Sequence, residues 1–416
     1  MTAAGFVSAR PKERLLLRGA RQVVTLQGPP RLRHGAELRE IGLLRDASIL
    51  IEGGVIAQVG SSRRVDNLKE AATARVVDLR NLVIVPGFLD AVHDLLPVRE
   101  ISGDGADAAN AAAPGYSDRI LHTITRRLER ELGRLAQLGT TFAQFRLRFP
   151  DEAVLQSRLL RNLLQLDFPR ESFRADLHFH HLPHFDTEGA ETLAGHLSRA
   201  ARGFWKSLEG SLAVSVRAAA LESLSTSEQL RALRRIGGGL PCYLTQPDPT
   251  AAEHMAALCV GSGSTVVGRP PQQEATLAML AQHEVPWIVP SGEYGVEMGW
   301  GNLALRRMID SGMRLALSSG FNVNRPGSAS TFALSSILRN EEKLEPEEIL
   351  QLSIANLVFA LGLGHRLGCI QAGYEANLSI LECEDYREIG LHAGMPPILA
   401  SFRRGVLMEK RLTMRS

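Results

Sequence analysis

Short apolar runs separated by turn residues fill the first part of the chain. Residues 15–20 and 22–26 predict two strands. Residues 48–52 and 55–60 flank Gly53-Gly54 and predict a hairpin, because two glycines accept the positive φ values of a tight turn. Residues 75–79 and 82–85 predict two further strands, and 28–45 predicts a loop inserted into this small β unit. From about Phe88 the pattern changes. Predicted strands at 88–92, 141–145, 175–180, 213–217, 241–245, 264–267, 287–290 and 314–317 alternate with helical stretches. The predicted helices lie at 119–138, 152–166, 188–208, 227–236 and 273–282. Such alternation argues for βα units and a parallel sheet. Eight strands are what a (β/α)8 barrel needs, and about 250 residues is its usual size.

Beyond the barrel, Pro346 starts an amphipathic helix that runs to Leu361. Residues 368–373, 378–381 and 397–408 then read as strands. A chain that begins and ends in β structure predicts that its two ends fold together. The expected fold class is α/β: a TIM barrel at 88–365, with a small β-sandwich composed of 1–87 and 366–416. The Ala- and Gly-rich stretch 104–115 predicts a loop above the barrel.

Composition narrows the functional classes. Among 416 residues, 47 basic against 45 acidic side chains leave a net charge of +2. That balance offers no electrostatic basis for binding nucleic acid or an anionic membrane. Residues 126–134 alternate basic and acidic side chains, the pattern of a solvated helix face. Cys242, Cys259, Cys369 and Cys383 form no C-x-x-C pair, which argues against a zinc ribbon and fits a reducing cytoplasm. No apolar h-region precedes Arg14, so no signal peptide is expected. No apolar run approaches the roughly 20 residues that span a bilayer. Gly237-Gly238-Gly239 follows a predicted helix rather than a strand, so it is not a phosphate loop, and no Ser-His-Asp order is apparent.

The segment Pro86-Gly87-Phe88-Leu89-Asp90-Ala91-Val92-His93-Asp94 resembles the first-strand signature of the amidohydrolase superfamily, Pro-Gly-Phe-x-Asp-x-His-x-His. Further resemblances follow in the family's order. Leu138-Gly139-Thr140-Thr141 resembles L-G-T-T, and His180-His181-Leu182-Pro183 is similar to H-A-V-P. Residues 315–322 resemble L-A-L-A-T-D-F-N, and 368–378 resemble G-x-I-x-x-G-x-x-A-D-L. The branch resembled is imidazolonepropionase-like. The resemblance implies a hydrolase of non-peptide C–N bonds and a homodimer. It also implies a divalent metal that lowers the pKa of a bound water, with a strand-eight aspartate receiving the proton.

At the family's metal positions this chain has Val92 and Asp94 on strand one, Thr245 on strand five, Gly268 on strand six and Gly320 on strand eight. Val and Gly carry no donor atom and Thr is a poor zinc ligand. No metal or other cofactor is therefore expected. The alternative is one zinc or iron ion held by Asp94, His178 and His180, since His178 and His180 fall on one face of a strand. The resemblance implies substrate contacts from His180, Asn322, Arg99 and Arg146. Gln144 and Arg146 replace a Glu and a Lys, and Phe149 replaces a Tyr. Strand alternation turns His93 away from the interior that Val92 and Asp94 face, against the helical layer. The expected function is a family homologue that has lost its metal site and hydrolase activity. It would bind a small polar or cyclic amide-like ligand or act as a scaffold. An active hydrolase with a rearranged metal site is the alternative.

Overall fold

Two eight-stranded sheets organise the computed structural model. Residues 14–94, 130–131, 133–148, 173–179, 212–237, 240–245, 252–269, 271–321, 330–391 and 397–410 are described. The first sheet contains β1 (Arg14–Val24), β2 (Leu43–Glu52), β3 (Val55–Ser61), β4 (Arg75–Asp78) and β5 (Val83–Pro86). The second contains β6 (Phe88–Asp94), β7 (Thr140–Arg148), β8 (Phe173–Phe179), β9 (Leu212–Arg217), β10 (Cys242–Thr245), β11 (Thr265–Val267), β12 (Pro286–Pro290) and β13 (Arg314–Ser318). The chain then returns to the first sheet with β14 (Leu378–Leu381), β15 (Ile398–Arg403) and β16 (Val406–Lys410).

The first sheet is mixed, in the order β16-β15-β14-β5-β1-β2-β3, and it forks at β1. Leu15–Arg18 pair with β4 and Gln22–Val23 with β5. Both ends of the chain feed one core, where Leu17, Ile49, Val77 and Ile84 meet Leu378, Ile380 and Phe402.

Several sequence expectations are corrected here. The two runs at 15–20 and 22–26 form one strand, β1, whose register against β2 shifts between Leu17 and Ala20. The inserted loop is shorter than expected, because β2 starts at Leu43 and a 3-10 helix occupies Gly35–Arg39. Residues 368–373 form turns rather than a strand, although Gly373 and Tyr374 still exchange backbone hydrogen bonds with Ile56. Residues 397–408 divide into β15 and β16 at a turn through Arg404 and Gly405.

The second sheet is the barrel, all parallel, in strict chain order from β6 to β13. Alternation divides each strand between two layers. Val266, Trp287, Val289, Leu315 and Leu317 pack outward on Met255, Leu277, Leu280, Leu305 and Met308 of the surrounding helices. Phe142, Ala213, Tyr243, Val267, Ile288 and Ala316 fill the other side. The expected helices at 227–236 and 273–282 are present as Thr226–Gly237 and Glu274–Gln282, and Ala252–Ser262 is helical as well. Those expected at 152–166 and 188–208 lie outside the described residues.

The post-barrel helix is buried on nearly all sides, not amphipathic. It runs from Pro346 to Ala360 and widens to π geometry over Gln351–Asn356. Its apolar residues Ile354, Leu357 and Val358 join the inner core of the barrel. At its end the Leu361 carbonyl accepts a hydrogen bond from Arg174 Nη1 at 2.6 Å. Arg174 is the second residue of β8, so this helix closes the N-terminal end of the barrel. The opposite, C-terminal end of the strands is where barrel enzymes place their sites.

Candidate functional site at the barrel mouth

Strand one enters the mouth through a bulge. Asp90 pairs with Ala143 and His93 with Phe145, so Ala91 and Val92 together oppose Gln144 alone. Val92 takes φ +60, a conformation that a β-branched residue rarely adopts. The bulge breaks the strict alternation assumed through Val92 and turns Asp90 and His93 to the same side, Oδ1 to Nε2 3.4 Å. His93 is fully buried, edge-on to Phe145 at 5.5 Å and 5.8 Å from the Phe321 ring.

Asp90 is the centre of a polar knot whose partners lie too far along the chain for the sequence to show. Its Oδ1 accepts hydrogen bonds from Ser318 Oγ (2.9 Å) and from the backbone amides of Ser319 (2.8 Å) and Ala91 (2.9 Å). Its Oδ2 accepts from the Thr331 amide at 3.1 Å. Burial pushes this carboxyl up, but His93 and the donors of Ser319 outweigh it and hold it below its ordinary value. Ser319 Oγ also lies 3.4 Å from His93 Nε2. Asp90 and Ser319 thus meet the same imidazole nitrogen, and a Ser-His-Asp relay needs both nitrogens.

Across the interior, the Tyr243 hydroxyl donates to Gln144 Oε1 at 3.4 Å, spanning strands that are not neighbours. Burial raises the Tyr243 phenol to about 12. Arg146, partly buried, and Asp176, buried, form an ion pair at 3.6 Å. His178 Nδ1 lies 2.8 Å from Ser215 Oγ, and the imidazole is buried. Arg174, Asp176 and His178 follow one another at spacing two along β8, which brings them to one face. That spacing was visible in the sequence; their partners on other strands were not.

Thr245, Gly268 and Gly320 have local tasks. Thr245, buried at the end of β10, donates its hydroxyl to the Val216 carbonyl at 3.3 Å. Gly268 donates its amide to the Ile288 carbonyl (3.2 Å) and accepts from Trp287 Nε1 (3.2 Å). Gly320 takes φ +64, and a β-carbon there would lie 2.3 Å from Cβ of Pro290. Asp94 ends β6 beside Arg146. Arg99, Phe149, His180 and Asn322 lie outside the described residues. Among the described residues, no three His, Cys, Asp or Glu side chains gather as a metal-binding group.

No protein-family model matches the chain. Full-length relatives are found nonetheless. An imidazolonepropionase of Solibacter usitatus is 26% identical over 419 residues, covering 95% of this chain and 98% of that protein. One from Chloroflexus aggregans is 26% identical over 436 residues, covering 94% and 97%. Among solved structures, a triazine hydrolase variant superposes with a TM-score of 0.66 at 14% identity, covering 96% of this chain and 95% of that one. Guanine deaminase from E. coli superposes at 0.64 and 14% identity, covering 96% and 100%. Zinc-complexed atrazine chlorohydrolase from Arthrobacter aurescens superposes at 0.65 and 14% identity, covering 97% of each chain. The barrel and its attached mixed sheet are thus the architecture of the amidohydrolase fold. Along nearly its whole length the chain is similar to imidazolonepropionases, and its fold is that of the amidohydrolase structures.

Proposed function

We propose that this chain keeps the amidohydrolase barrel as a ligand-binding scaffold and has given up metal-dependent hydrolysis. The observation that carries this reading is the setting of Gly320. At the position of the strand-eight aspartate, the backbone is left-handed and Pro290 fills the space of any β-carbon. Val92 and Gly268 add no donor atom, and the Thr245 hydroxyl is engaged with a neighbouring strand. These residues do not fit a divalent ion at the family's position. What the barrel interior offers instead is hydrogen bonding from Arg146, Asp176, His178 and Gln144. That set suits a small polar or cyclic amide-like ligand at the strand ends, taken up by a cytoplasmic homodimer.

The test is elemental analysis of the purified protein together with turnover of imidazolone propionate. The expected result is well under one zinc or iron per chain and no hydrolysis above the buffer rate. One tightly held ion per chain with turnover overturns the reading. That outcome supports a second reading, favoured by the full-length likeness to imidazolonepropionases. In it, Asp94, His178 and His180 hold a shifted zinc or iron and the protein hydrolyses a non-peptide C–N bond.

A further inference from the structure

The barrel has a seam. Each strand from β6 to β13 pairs with its sequence neighbours, yet no backbone ladder joins β6 to β13 among the described residues. The two strands are fastened by side chains instead. Asp90 takes Ser318 Oγ and the Ser319 amide on one oxygen and the Thr331 amide on the other. Ser318 Oγ also lies within hydrogen-bonding reach of the Ala91 amide and carbonyl. His93 stands against both Asp90 and Ser319. Asp90, His93, Ser318 and Ser319 are fully buried.

We infer that this seam is a latch, through which the barrel mouth opens, and that Asp90 is the positioning residue that shuts it. A ladder distributes its cohesion over many backbone pairs, whereas here one carboxylate gathers the contacts, so a change at that one group acts on all of them. The shut state also holds Val92 at φ +60 between Asp90 and His93, and opening lets that uphill conformation relax. The seam ends at Gly320 and Asp94, so opening it widens the mouth where a ligand enters. The inference concerns how the mouth opens and is independent of whether the barrel holds a metal.

Hydrogen exchange read by mass spectrometry on the full chain tests it. Peptides covering 314–321 and 331–338 report the seam, and those covering 242–245 and 286–290 report ladders elsewhere in the barrel. Asp90→Asn keeps the shape and removes the charge. The expected result is exchange about 10- to 100-fold faster at the seam peptides, as loss of charge-assisted hydrogen bonds implies, with the other peptides unchanged. Unchanged seam exchange overturns the latch. So does a uniform acceleration of all peptides, which would make Asp90 a global stabiliser. Should Asp90→Asn fail to fold, Ser318→Ala removes one donor and is read the same way, with about 3- to 10-fold expected.

Discussion

A β-carbon on Gly320 would stand 2.3 Å from Cβ of Pro290 and 3.2 Å from Cβ of Glu293. The end of β13 and the end of β12 therefore approach as closely as glycine permits. Gly320→Asp would place here the aspartate that the resemblance implies. It would force both strands apart in a left-handed turn, and we expect a loss of about 2–5 kcal/mol in urea unfolding. Calorimetric titration with zinc should show no site gained.

His178 separates the two functional readings. It lies 2.8 Å from Ser215 Oγ in the barrel interior. His178→Gln should leave the metal content of the purified protein unchanged, near zero in both proteins. A drop from one ion per chain to none would assign His178 as a ligand. Ser215→Ala, which removes the hydroxyl partner, should cost about 1–2 kcal/mol by the same unfolding measurement.

Arg33 anchors the inserted segment from inside. Its guanidinium is fully buried and donates to Gln351 Oε1 and, at 2.7 Å, to the Leu26 carbonyl. Its amide and carbonyl bond the Asn356 side chain, each at 2.8 Å. Burial pushes the Arg33 pKa down, with the Cys369 sulfur working against it. Arg33→Met keeps the volume, strands the Gln351 Oε1 acceptor and leaves the Leu26 carbonyl with the Cys369 thiol alone. Chemical denaturation should register a loss of about 2–4 kcal/mol.

Glu37 provides an acid-limb prediction. Arg31 grips it with two hydrogen bonds, 2.8 and 2.6 Å, and holds its carboxyl at about 2. A carboxyl depressed in the folded state stabilises above its unfolded value of 4.5, and that contribution is lost as pH falls toward 2. The pair is partly exposed, so we expect about 1 kcal/mol or less. Melting temperatures of wild type and Glu37→Gln, followed from pH 7 to 2, should differ at the top of that range and converge at the bottom.

Gly87 shows why much of the fold was legible in the chain. A β-carbon there would lie 2.4 Å from the Thr141 side chain, so the glycine in Pro86-Gly87-Phe88 records the close approach of β6 and β7. Local rules of this kind place the strands. Gly53 and Gly54 turn the β2–β3 hairpin at φ +60 and +84, as that dipeptide requires. The post-barrel helix departs from the amphipathic pattern expected of it. Gln351, Asn356 and Glu348 are buried and satisfied by partners far along the chain, such as the Glu40 carbonyl and Arg306. No local pattern encodes such partners.

The sequence by itself determined the order of the eight barrel strands and the class of fold, a (β/α)8 barrel with a separate β unit. Those depend on periodicity, turn chemistry and residue identity, all of which are local. Tertiary structure alone decided that Val92 sits in a bulge, that Asp90 and His93 share a face, and that Pro290 closes the space beside Gly320. Each depends on the register of one strand against another, and that register is set by packing between residues as far apart as Asp90 and Ser319.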